Sequence, residues 1–429
     1  MKVCMIGTGY VGLVSGTCFA EIGHNVTCVD NDEKKIEILK NGKIPIYEPG
    51  LLDMVRKNVS ENRLKFTTSI SEGVRESLFI FIAVGTPPKE NGEPDLSSVE
   101  KVASEIGEAM EDYKIVVEKS TVPVQTGKWI KTIVERFNRK KVEFDVASNP
   151  EFLREGSAIQ DFLKPDRVVL GVESEKAKEL LLELYKPIDA PKIITDLASA
   201  ELIKHASNSF LSMKISFINA LSIICEYSGA DILKVAEGIG LDKRIGRDFL
   251  NAGVGFGGFC FPKDLKAFIG ISQKLGYDFR LLKEVERINE EQMKRVVKKL
   301  EDSLWNLRDK RIGILGLSFK PNTDDMRFAP SITIINELKK EGAIVKAYDP
   351  VAMERAKEIM PDIVYCKDAY EVAENADGII LVTEWDEFKN LDLKKLKEKM
   401  RQPVFLDGRN IFDPQEMKKI GFIYSGIGR

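Results

Sequence analysis

The stretch GVGFGGFCFPKD, residues 253–264, places one thiol among residues that suit covalent chemistry. Four glycines precede Cys260, and Lys263 and Asp264 follow it. Glycines let a ligand or a neighbouring backbone come close to the thiol, and a lysine favours the thiolate that acts as a nucleophile. A free cysteine is more commonly a small packing residue. The charged pair and the lack of an apolar period favour a nucleophile at Cys260.

A second candidate group lies on a long predicted helix. Apolar residues recur every three to four positions from about Asp196 to Gly229, which predicts one helix over this range. Lys204 and Asn208 are four residues apart and share a face of it. On the core side they need buried partners or a ligand, and the lysine could donate to a developing oxyanion. His205 points elsewhere and is predicted to be a packing or surface residue.

The N-terminal third has the pattern of a dinucleotide-binding unit. A strand over residues 3–6 leads into Gly7-x-Gly9-x-x-Gly12, then a helix, and then a second strand that ends at Asp30. The glycines permit a tight turn, the approach of a pyrophosphate and close packing of helix on strand. Asp30 suits a ribose 2′-hydroxyl and would repel a 2′-phosphate. The pattern therefore predicts NAD in preference to NADP, and the alternative is a tight turn without a ligand.

Three further apolar strands each end in polar residues. Because ligands bind outside the carboxyl ends of strands in open α/β sheets, we expect these residues at one rim. Each could alone be a turn or a helix cap, but together they favour a site. They are Gly85 and Thr86, Ser120 and Thr121, and Asn149, Glu151 and Glu155.

The last third repeats the α/β theme. From about residue 310, a strand, a glycine, a helix and a second strand lead to Asp349, and two more apolar strands follow. The sequence predicts a second Rossmann-like domain here. Lys320, Arg327 and Arg409 fall at or beyond predicted strand ends and suit phosphate or carboxylate recognition, although each alone could be a surface charge. The charged segment that precedes this domain is predicted to be a solvated linking helix.

The composition indicates a globular protein of two or three domains. The chain has 429 residues, of which 43% are hydrophobic and 31% charged, and a net charge of −3. This balance gives no reason to expect nucleic acid or an anionic membrane as a partner, and no run reaches the roughly 18 apolar residues of a membrane span. The six cysteines are scattered, so neither a zinc site nor a disulfide framework is predicted. We expect a cytoplasmic α/β protein with two Rossmann-like domains joined by a long central helix, and such a helix suits a dimer interface.

Taken together, the motifs resemble those of the nucleotide-sugar dehydrogenases of the UDP-glucose/GDP-mannose dehydrogenase family. The resemblance covers essentially the whole chain and depends on the order of many specific segments. They are GTGYVGLVSG, VGTPP, STVPVQTG, SNPEFLREGSAI, KPDRVVLG, KHASNSF, DKRIG, FLNAGVGFGGFCFPKD, GLSFKPNTDDMR, LVTEW and FLDGR. One departure is Phe259, where many members of the family have Ser.

The resemblance implies that a sugar CH2OH is oxidised to a carboxylate with two NAD. The matching catalytic positions are Cys260 as the nucleophile, Lys204 and Asn208 at the oxyanions, Asp264 for the water, and Thr121 and Glu151 for proton transfer and water binding. The matching cofactor positions are Gly7, Gly9, Tyr10, Val11, Gly12, Asp30, Lys35, Gly85, Thr86, Ser120, Thr121, Glu155, Lys263 and Arg327. The matching substrate positions are Glu151, Phe152, Leu153, Arg154, Lys204, Asn208, Arg244, Phe249, Leu250, Asn251, Ala252, Gly253, Gly257, Lys320 and Arg409. Arg244 matches an arginine that reaches the nucleotide of the neighbouring subunit.

General chemistry is consistent with this scheme. The aldehyde formed by the first hydride transfer must not escape, and a thiol can hold it as a thiohemiacetal. Loss of a second hydride gives a thioester, which water hydrolyses. Electropositive neighbours favour the thiolate, and donors such as Lys204 and Asn208 can meet the oxyanions.

The resemblance also predicts the domain organisation and the partner. Residues 1–198 would form the NAD-binding domain, residues 199–305 a central helical dimerisation region with the cysteine loop, and residues 306–429 the UDP-sugar-binding domain. The motifs resemble most the members that oxidise UDP-glucose, as a homodimer or higher homo-oligomer. The alternatives are the same oxidation of GDP-mannose or a UDP-N-acetylhexosamine, a two-electron hydroxyacid dehydrogenase, and an NAD-binding protein without turnover.

Overall fold

The structure is a computed structural model that describes residues 1–87, 89 and 94–429. The chain divides into two compact units, residues 1–207 with 266–275 and residues 208–265 with 276–429. The division between the units falls within two helices, so each unit contains part of each helix. The three-part division expected from the sequence stays a prediction.

The first unit contains an eight-stranded sheet. Its strands are β1 (Lys2–Ile6), β2 (Asn25–Val29), β3 (Leu64–Thr67), β4 (Phe79–Ile82), β5 (Lys114–Glu118), β6 (Phe144–Ser148), β7 (Val168–Val172) and β8 (Lys192–Thr195). The helices along this segment are α1 (Tyr10–Glu21), α2 (Glu33–Lys40), α3 (Leu51–Ser60), α4 (Ile70–Glu76), α5 (Ser97–Ala109), α6 (Thr126–Phe137), α7 (Ala158–Leu163) and α8 (Glu175–Leu184). The strand order is β3-β2-β1-β4-β5-β6-β7-β8, and only the β6–β7 pair is antiparallel.

The near-continuous apolar strands of this sheet follow from burial on both faces. In β1, Val3 and Met5 lie in one hydrophobic cluster, whereas Cys4 and Ile6 lie in another. Successive side chains of a strand point to opposite faces, so both faces of β1 are covered. The order reverses between β1 and β4, and ligands bind at such a switch point.

The second unit contains a six-stranded sheet in which all strands are parallel. Its strands are β9 (Arg311–Leu315), β10 (Ile344–Tyr348), β11 (Val364–Tyr365), β12 (Gly378–Leu381), β13 (Val404–Asp407) and β14 (Ile423–Gly426), in the order β11-β10-β9-β12-β13-β14. The helices from residue 197 onwards are α9 (Leu197–Ser228), α10 (Ile232–Gly240), α11 (Cys260–Lys274), α12 (Arg280–Leu304), α13 (Pro330–Lys340), α14 (Met353–Ile359), α15 (Ala369–Ala373), α16 (Asp386–Lys389), α17 (Leu393–Lys399) and α18 (Pro414–Ile420). The predicted class, two Rossmann-like α/β domains joined by a long central helix, is confirmed.

The helix α12 corrects one expectation. The charged segment was expected to be a solvated linking helix, but Val296, Leu300 and Leu304 are buried and belong to the core of the second unit. Their four-residue spacing gives the helix one apolar face, which packs while its lysines and glutamates face solvent.

The long helix α9 matches the predicted range closely. By length and composition it is also the one helix among the described residues that is apolar enough to cross a membrane. Of its most apolar 18-residue window, 44% is buried within the protein. Its sequence also contains Glu201, Lys204 and His205, all of which are buried.

The second sheet carries an acid at the place that Asp30 occupies in the first. Asp349 follows β10 and is completely buried. Its Oδ2 accepts hydrogen bonds from the amides of Leu317 and Ser318 at 2.7 and 3.1 Å and from the indole of Trp385 at 3.1 Å. Its Oδ1 accepts two more from the amides of the turn that follows. This carboxylate is therefore committed to bonds within the domain.

Candidate active site

The turn between β1 and α1 has the geometry that a dinucleotide needs. Gly7 has φ +101°, in the region that favours glycine, and a Cβ on Gly12 would lie 1.8 Å from the carbonyl oxygen of Gly7. A Cβ on Gly9 would meet nothing within 4 Å. Gly9 is the N-cap of α1, and within the described chain no side chain caps it. The amides at the start of α1 therefore face open space, which suits a pyrophosphate.

Asp30 lies at the end of β2, beside this turn. Its Oδ2 accepts hydrogen bonds from the amide and the hydroxyl of Thr8, each at 2.8 Å, and its Oδ1 accepts one from the amide of Asp32. Burial would raise the pKa of Asp30, but these hydrogen bonds outweigh it and lower the pKa. Lys35 Nζ lies 3.8 Å from Oδ2. The acid is therefore ionised, as a ribose acceptor must be, and the residues fit NAD.

The polar residues after β4 and β5 join the ends of the two strands. Thr86 Oγ1 donates to the carbonyl of Thr121 at 3.0 Å, and Ser120 Oγ donates to the carbonyl of Val84 at 2.9 Å. Neither Ser120 nor Thr121 is a helix cap in the structure, because α6 begins only at Thr126. A Cβ on Gly85 would meet nothing within 4 Å, so this rim also offers open space.

A buried ion pair lies in the same unit. Lys204 Nζ lies 3.0 Å from Glu151 Oε1, and both side chains are 5% exposed. The other oxygen of Glu151 accepts a hydrogen bond from the amide of Leu153 at 2.5 Å. Two cations lie near the ring of Phe152, with the Arg167 guanidinium 3.6 Å and the Lys204 ammonium 5.4 Å from its ring centre. The structure thus brings together three of the predicted residues on the loop after β6 with Lys204.

Sequence reasoning missed a second lysine beside this pair. Lys119 follows β5, is 3% exposed, and donates from Nζ to Asn149 Oδ1 at 3.0 Å. Burial lowers the pKa of Lys119 to about 8, Glu151 opposes this effect and Lys204 adds to it. The only signal in the sequence was a lysine at the end of an apolar strand. The pair is therefore part of a buried group with two lysines and one carboxylate.

In the second unit, Asp264 is the centre of a hydrogen-bonded cluster. Its Oδ2 accepts from Asn208 Nδ2 and its Oδ1 from Lys263 Nζ, both at 2.6 Å. Asp264 is 1% exposed, and its two partners are also buried. Each donor fixes one carboxylate oxygen, so the carboxylate is held in one orientation. Three predicted residues from two helices therefore meet at one point.

Cys260 is the first residue of α11 and lies one turn before Asp264. The positive end of a helix dipole stabilises negative charge on a thiol at this place. Cys260 is partly exposed, whereas the other five cysteines are buried. Burial raises the pKa of Cys28 to about 12 and that of Cys366 to about 11. Among the six thiols, Cys260 alone combines exposure with a helix N-terminus.

The glycines before Cys260 allow close packing of backbone. A Cβ on Gly257 would lie 2.2 Å from the carbonyl oxygen of Phe328, and one on Gly258 would lie 2.7 Å from the ring of Phe319. The amide of Gly253 donates to Asn219 Oδ1 at 2.8 Å, and its carbonyl accepts from Gln292 Nε2 at 2.7 Å. The glycines were expected to admit either a ligand or a neighbouring backbone, and the contact of Gly257 is with a neighbouring backbone. The loop is therefore rigidly placed.

Phe259 stacks beneath a cation. The Arg327 guanidinium lies 4.2 Å from the centre of its ring and Lys263 Nζ lies 5.3 Å away. Arg327 is also held by Asp325, whose two oxygens accept from its Nε and Nη2. The aromatic ring next to the thiol thus fixes two of the residues that match cofactor positions.

The remaining predicted substrate residues of this unit fall into two groups. Arg409 is fixed, since its Nε donates to the carbonyl of Val382 at 2.6 Å. Lys320 Nζ lies over the ring of Phe319. Phe249 has φ +64°, and the residues Leu250 and Ala252 are buried while Asn251 accepts a hydrogen bond from Arg247. Arg244 is 89% exposed and bonds only to its neighbour Asp242 among the described residues.

The remaining predicted cofactor and substrate positions lie in the first unit. Tyr10 and Val11 form the first turn of α1, Glu155 is half-buried, and Arg154 forms an ion pair with Asp161 at 2.6 Å. In the first unit most of the predicted residues therefore follow strand ends, whereas Lys204 lies on α9. In the second unit several lie at the cysteine loop, whereas Arg244 is exposed and paired with Asp242.

Comparisons with known proteins agree with this geometry. Family models of the UDP-glucose/GDP-mannose dehydrogenase family match residues 1–189 as the NAD binding domain, 198–291 as the central domain and 313–414 as the UDP binding domain. The chain is 52% identical to UDP-glucose 6-dehydrogenase TuaD of Bacillus subtilis, over 100% of this chain and 93% of that protein.

Solved structures give the same result. A UDP-glucose dehydrogenase from Pyrobaculum islandicum has a TM-score of 0.94 and 41% identity, over 100% of this chain and 97% of that one. A UDP-D-ManNAc dehydrogenase from Pyrococcus horikoshii has a TM-score of 0.89 and 27% identity, over 100% and 99%. The chain therefore belongs to the UDP-glucose/GDP-mannose dehydrogenase family and is an NAD-dependent dehydrogenase.

Proposed function

We propose that the protein oxidises UDP-glucose to UDP-glucuronate with two NAD+ and one water, through a covalent adduct on Cys260. The observation that carries the mechanism is the placement of Cys260 at the start of α11, one turn before the oriented carboxylate of Asp264. The substrate is proposed from the relatives, since those at 52% and 41% identity are named for UDP-glucose.

In the first oxidation the C6 hydroxyl loses a proton and C6 loses a hydride, which gives an aldehyde. Bound NAD+ supplies the hydride acceptor in each of the two oxidations. Thr121 and Glu151 are proposed to assist the proton transfer, and Glu151 is buried in an ion pair with Lys204. A carboxylate held in place by an ammonium can accept a proton through water.

In the second oxidation the thiolate of Cys260 adds to C6 and forms a C–S bond. The resulting thiohemiacetal loses a proton and a hydride and becomes a thioester. The oxygen on C6 carries negative charge at each tetrahedral stage, and Lys204 and Asn208 are the proposed donors to it. Asn208 Nδ2 is already oriented by Asp264, so little reorganisation is needed when the charge develops.

Hydrolysis completes the reaction. Water adds to the thioester carbon, the C–S bond breaks, and Cys260 leaves as a thiolate while the product carries a new carboxylate. Asp264 is proposed to position the water, because its two oxygens are already fixed by Asn208 and Lys263. Replacement of Asn208 by Ala is expected to lower kcat about 100- to 1,000-fold, as for the loss of one oxyanion donor.

Stoichiometry provides the test of the overall reaction. Complete turnover of limiting UDP-glucose should give two NADH per sugar, measured by absorbance together with product analysis. A yield of one NADH per UDP-glucose would exclude the four-electron reaction.

The nucleophile is tested by substitution. Cys260→Ser should bind UDP-glucose and NAD+ but complete no turnover, because a serine hydroxyl stays protonated at neutral pH and its alkoxide is a poorer leaving group than a thiolate. Cys366→Ala, at a buried thiol in the core of the second unit, is the matched control and should remain active. Full activity in Cys260→Ser would refute the covalent mechanism.

A second candidate substrate is a UDP-N-acetylhexosamine or GDP-mannose. The structural similarity to the UDP-D-ManNAc dehydrogenase, with a TM-score of 0.89, favours keeping it as a candidate. A comparison of kcat/KM across these nucleotide sugars decides between them. A value for another sugar equal to or above that for UDP-glucose would displace UDP-glucose.

We also propose a cytoplasmic homodimer or higher homo-oligomer. Along α9, Phe210, Phe217 and Ile224 recur every seven residues and are 58%, 55% and 61% exposed. Residues at this spacing lie on one face, and an exposed apolar stripe of this kind is typical of an interface. Phe217→Lys should shift the sedimentation coefficient towards that of a monomer, whereas an unchanged coefficient would exclude this face.

A further inference from the structure

The loop between α2 and α3 contains a buried acid with no role in the proposed reaction. Glu48 is 5% exposed and lies between two glycines, Gly42 and Gly50, that both have positive φ. The isoleucines Ile44 and Ile46 of the loop pack against the core of the first unit. The packed loop therefore fixes the position of Glu48.

The carboxylate of Glu48 accepts hydrogen bonds from three groups on two other segments. Oε2 accepts from the hydroxyl of Tyr10 and, at 2.6 Å, from the amide of Gly156. Oε1 accepts from the amide of Ala158 at 2.8 Å. The amide of Gly156 also lies 3.0 Å from the hydroxyl of Tyr10. All four residues are thus joined in one network inside the first unit.

The first of these segments is the cofactor turn. Tyr10 is the first residue of α1 and directly follows Gly9, whose Cβ direction is open. A dinucleotide on this turn would contact or reorient the first turn of α1. The hydroxyl of Tyr10 would transmit any such change to Glu48, because burial and the hydrogen bond to Glu48 both raise the pKa of Tyr10 and keep it a donor.

The second segment is the loop from Glu151 to Ala158. Glu151 is paired with Lys204 at one end of this loop, and Arg154 is paired with Asp161 in its middle. Gly156 and Ala158, held by Glu48, fix the other end. Any movement of that anchor changes the path of the chain between it and Glu151.

We propose that Glu48 is a positioning residue that couples the cofactor turn to the loop that carries Glu151. It orders the two segments together, so that NAD+ binding stabilises the loop and an ordered loop strengthens NAD+ binding. Such coupling is reciprocal. The inference depends on the proposed function only for the role of Glu151, and its test measures NAD+ binding and loop protection without turnover.

Two variants separate the coupling from simple anchoring. Tyr10→Phe removes the hydroxyl that joins α1 to Glu48 and to the amide of Gly156, but it leaves both amide bonds between Glu48 and the loop. Glu48→Gln keeps the shape but places an NH2 group opposite at least one donor, so it also loosens the loop. The matched control is Asp392→Asn, since Asp392 accepts from two amides at the start of α17 in the second unit.

Hydrogen exchange of the peptide that covers residues 151–158 is measured with and without saturating NAD+, and the NAD+ dissociation constant is measured by calorimetry. In wild type and Asp392→Asn we expect NAD+ to slow exchange of this peptide. In Tyr10→Phe the exchange without NAD+ should match wild type, but the slowing by NAD+ should be largely lost and the dissociation constant raised about tenfold. In Glu48→Gln exchange should be faster even without NAD+, and NAD+ should not restore it.

Two results would overturn the proposal. The first is that NAD+ slows hydrogen exchange of the peptide in Tyr10→Phe as much as in wild type. This would mean that the cofactor acts on the loop by a route that does not include Glu48. The second is a loss of the NAD+ effect in Asp392→Asn, which would mean that general destabilisation explains the data. If Glu48→Gln does not fold, Tyr10→Phe and the control still decide between these outcomes.

Discussion

Replacement of Lys119 by methionine should stabilise the protein at neutral pH. Lys119 is 3% exposed, and its burial lowers its pKa from the ordinary value of 10.5 to about 8, with Glu151 opposing and Lys204 adding to the effect. A drop of this size means that burial of the charged form costs about 3 kcal/mol of stability. The native fold therefore holds a destabilising charge, which methionine, of similar length, would remove.

The sign of the pH dependence follows from the direction of the shift. Below pH 8 the lysine is charged in both the native and the unfolded state, so the full cost is present. Between pH 8 and 10.5 the native state releases the proton while the unfolded state keeps it, and wild type gains stability as pH rises. Lys119→Met lacks this group, so its advantage should be greatest at pH 7 and shrink steadily between pH 8 and 10.5.

The net magnitude includes one lost hydrogen bond. Lys119 Nζ donates to Asn149 Oδ1, and its loss costs about 1 kcal/mol, although the same oxygen still accepts from the hydroxyl of Tyr185. The remaining gain of about 2 kcal/mol corresponds to a rise in Tm of about 2 °C for a chain of 429 residues, because the unfolding entropy is about 2.1 cal/mol/K per residue. Activity should fall, because the positive charge near Glu151 is lost.

Calorimetric scans of wild type and Lys119→Met from pH 6 to 10.5 provide the measurement. The control is Lys101→Met at a lysine that is 69% exposed, for which the Tm difference should be small at every pH. A Tm of Lys119→Met below that of wild type at pH 7, or a difference that does not shrink between pH 8 and 10.5, would refute the reasoning.

Three further predictions concern the glycines of the cofactor turn, the glycine loop before Cys260 and the acid Asp30. Gly9→Ala should keep the wild-type Tm, because a Cβ on this residue would meet nothing within 4 Å, but its NAD+ binding measured by calorimetry should be about 100-fold weaker or more. Gly12→Ala should lower the Tm itself. An NAD+ affinity of Gly9→Ala equal to that of wild type would contradict a pyrophosphate at this place. Gly257→Ala should lower the free energy of unfolding by more than about 2 kcal/mol, measured as a fall in Tm. Gly238→Ala in α10 should leave the free energy of unfolding unchanged or raise it by up to about 1 kcal/mol. Similar Tm values for the two variants would be inconsistent with the contact distances. Asp30→Asn should narrow the preference for NAD+ over NADP+ about tenfold in kcat/KM, and an unchanged ratio would remove Asp30 from cofactor selection.

The sequence predicts the elements whose pattern is local and strong. The first βαβ segment, the strands β4, β5 and β6, and the helix α9 all follow from apolar runs or from a three-to-four-residue period. The strands β3, β7, β8, β11 and β14 were not predicted. All of them except β7 are at most four residues long and have exposed or half-buried residues. The charged helix α12 was misjudged because its lysines and glutamates outnumber the apolar residues that form its buried face.

Some residues of the candidate site could be predicted from the sequence and others could not. Cys260, Asp264 and the glycine fingerprint stand out because their neighbours in sequence are also their neighbours in space. Lys119 and Glu48 do not, since their partners come from other strands and loops. Glu48 meets the amides of Gly156 and Ala158 more than a hundred residues later. Such contacts exist only once the sheet has brought the segments together.

The saturated carboxylate of Asp349 has a consequence for how many nucleotides one chain can hold. The second sheet repeats the order of the first six strands of the first sheet, so the two sheets would offer two places for a dinucleotide, each with an acid after the second strand. In the second sheet the indole of Trp385 and the backbone amides already occupy that acid, so an adenosine ribose finds no acceptor there. The two sheets thus share a fold but differ in whether their acid can accept a hydrogen bond from a ribose. Calorimetric titration should count one NAD+ per chain, and the second sheet remains available for a different nucleotide.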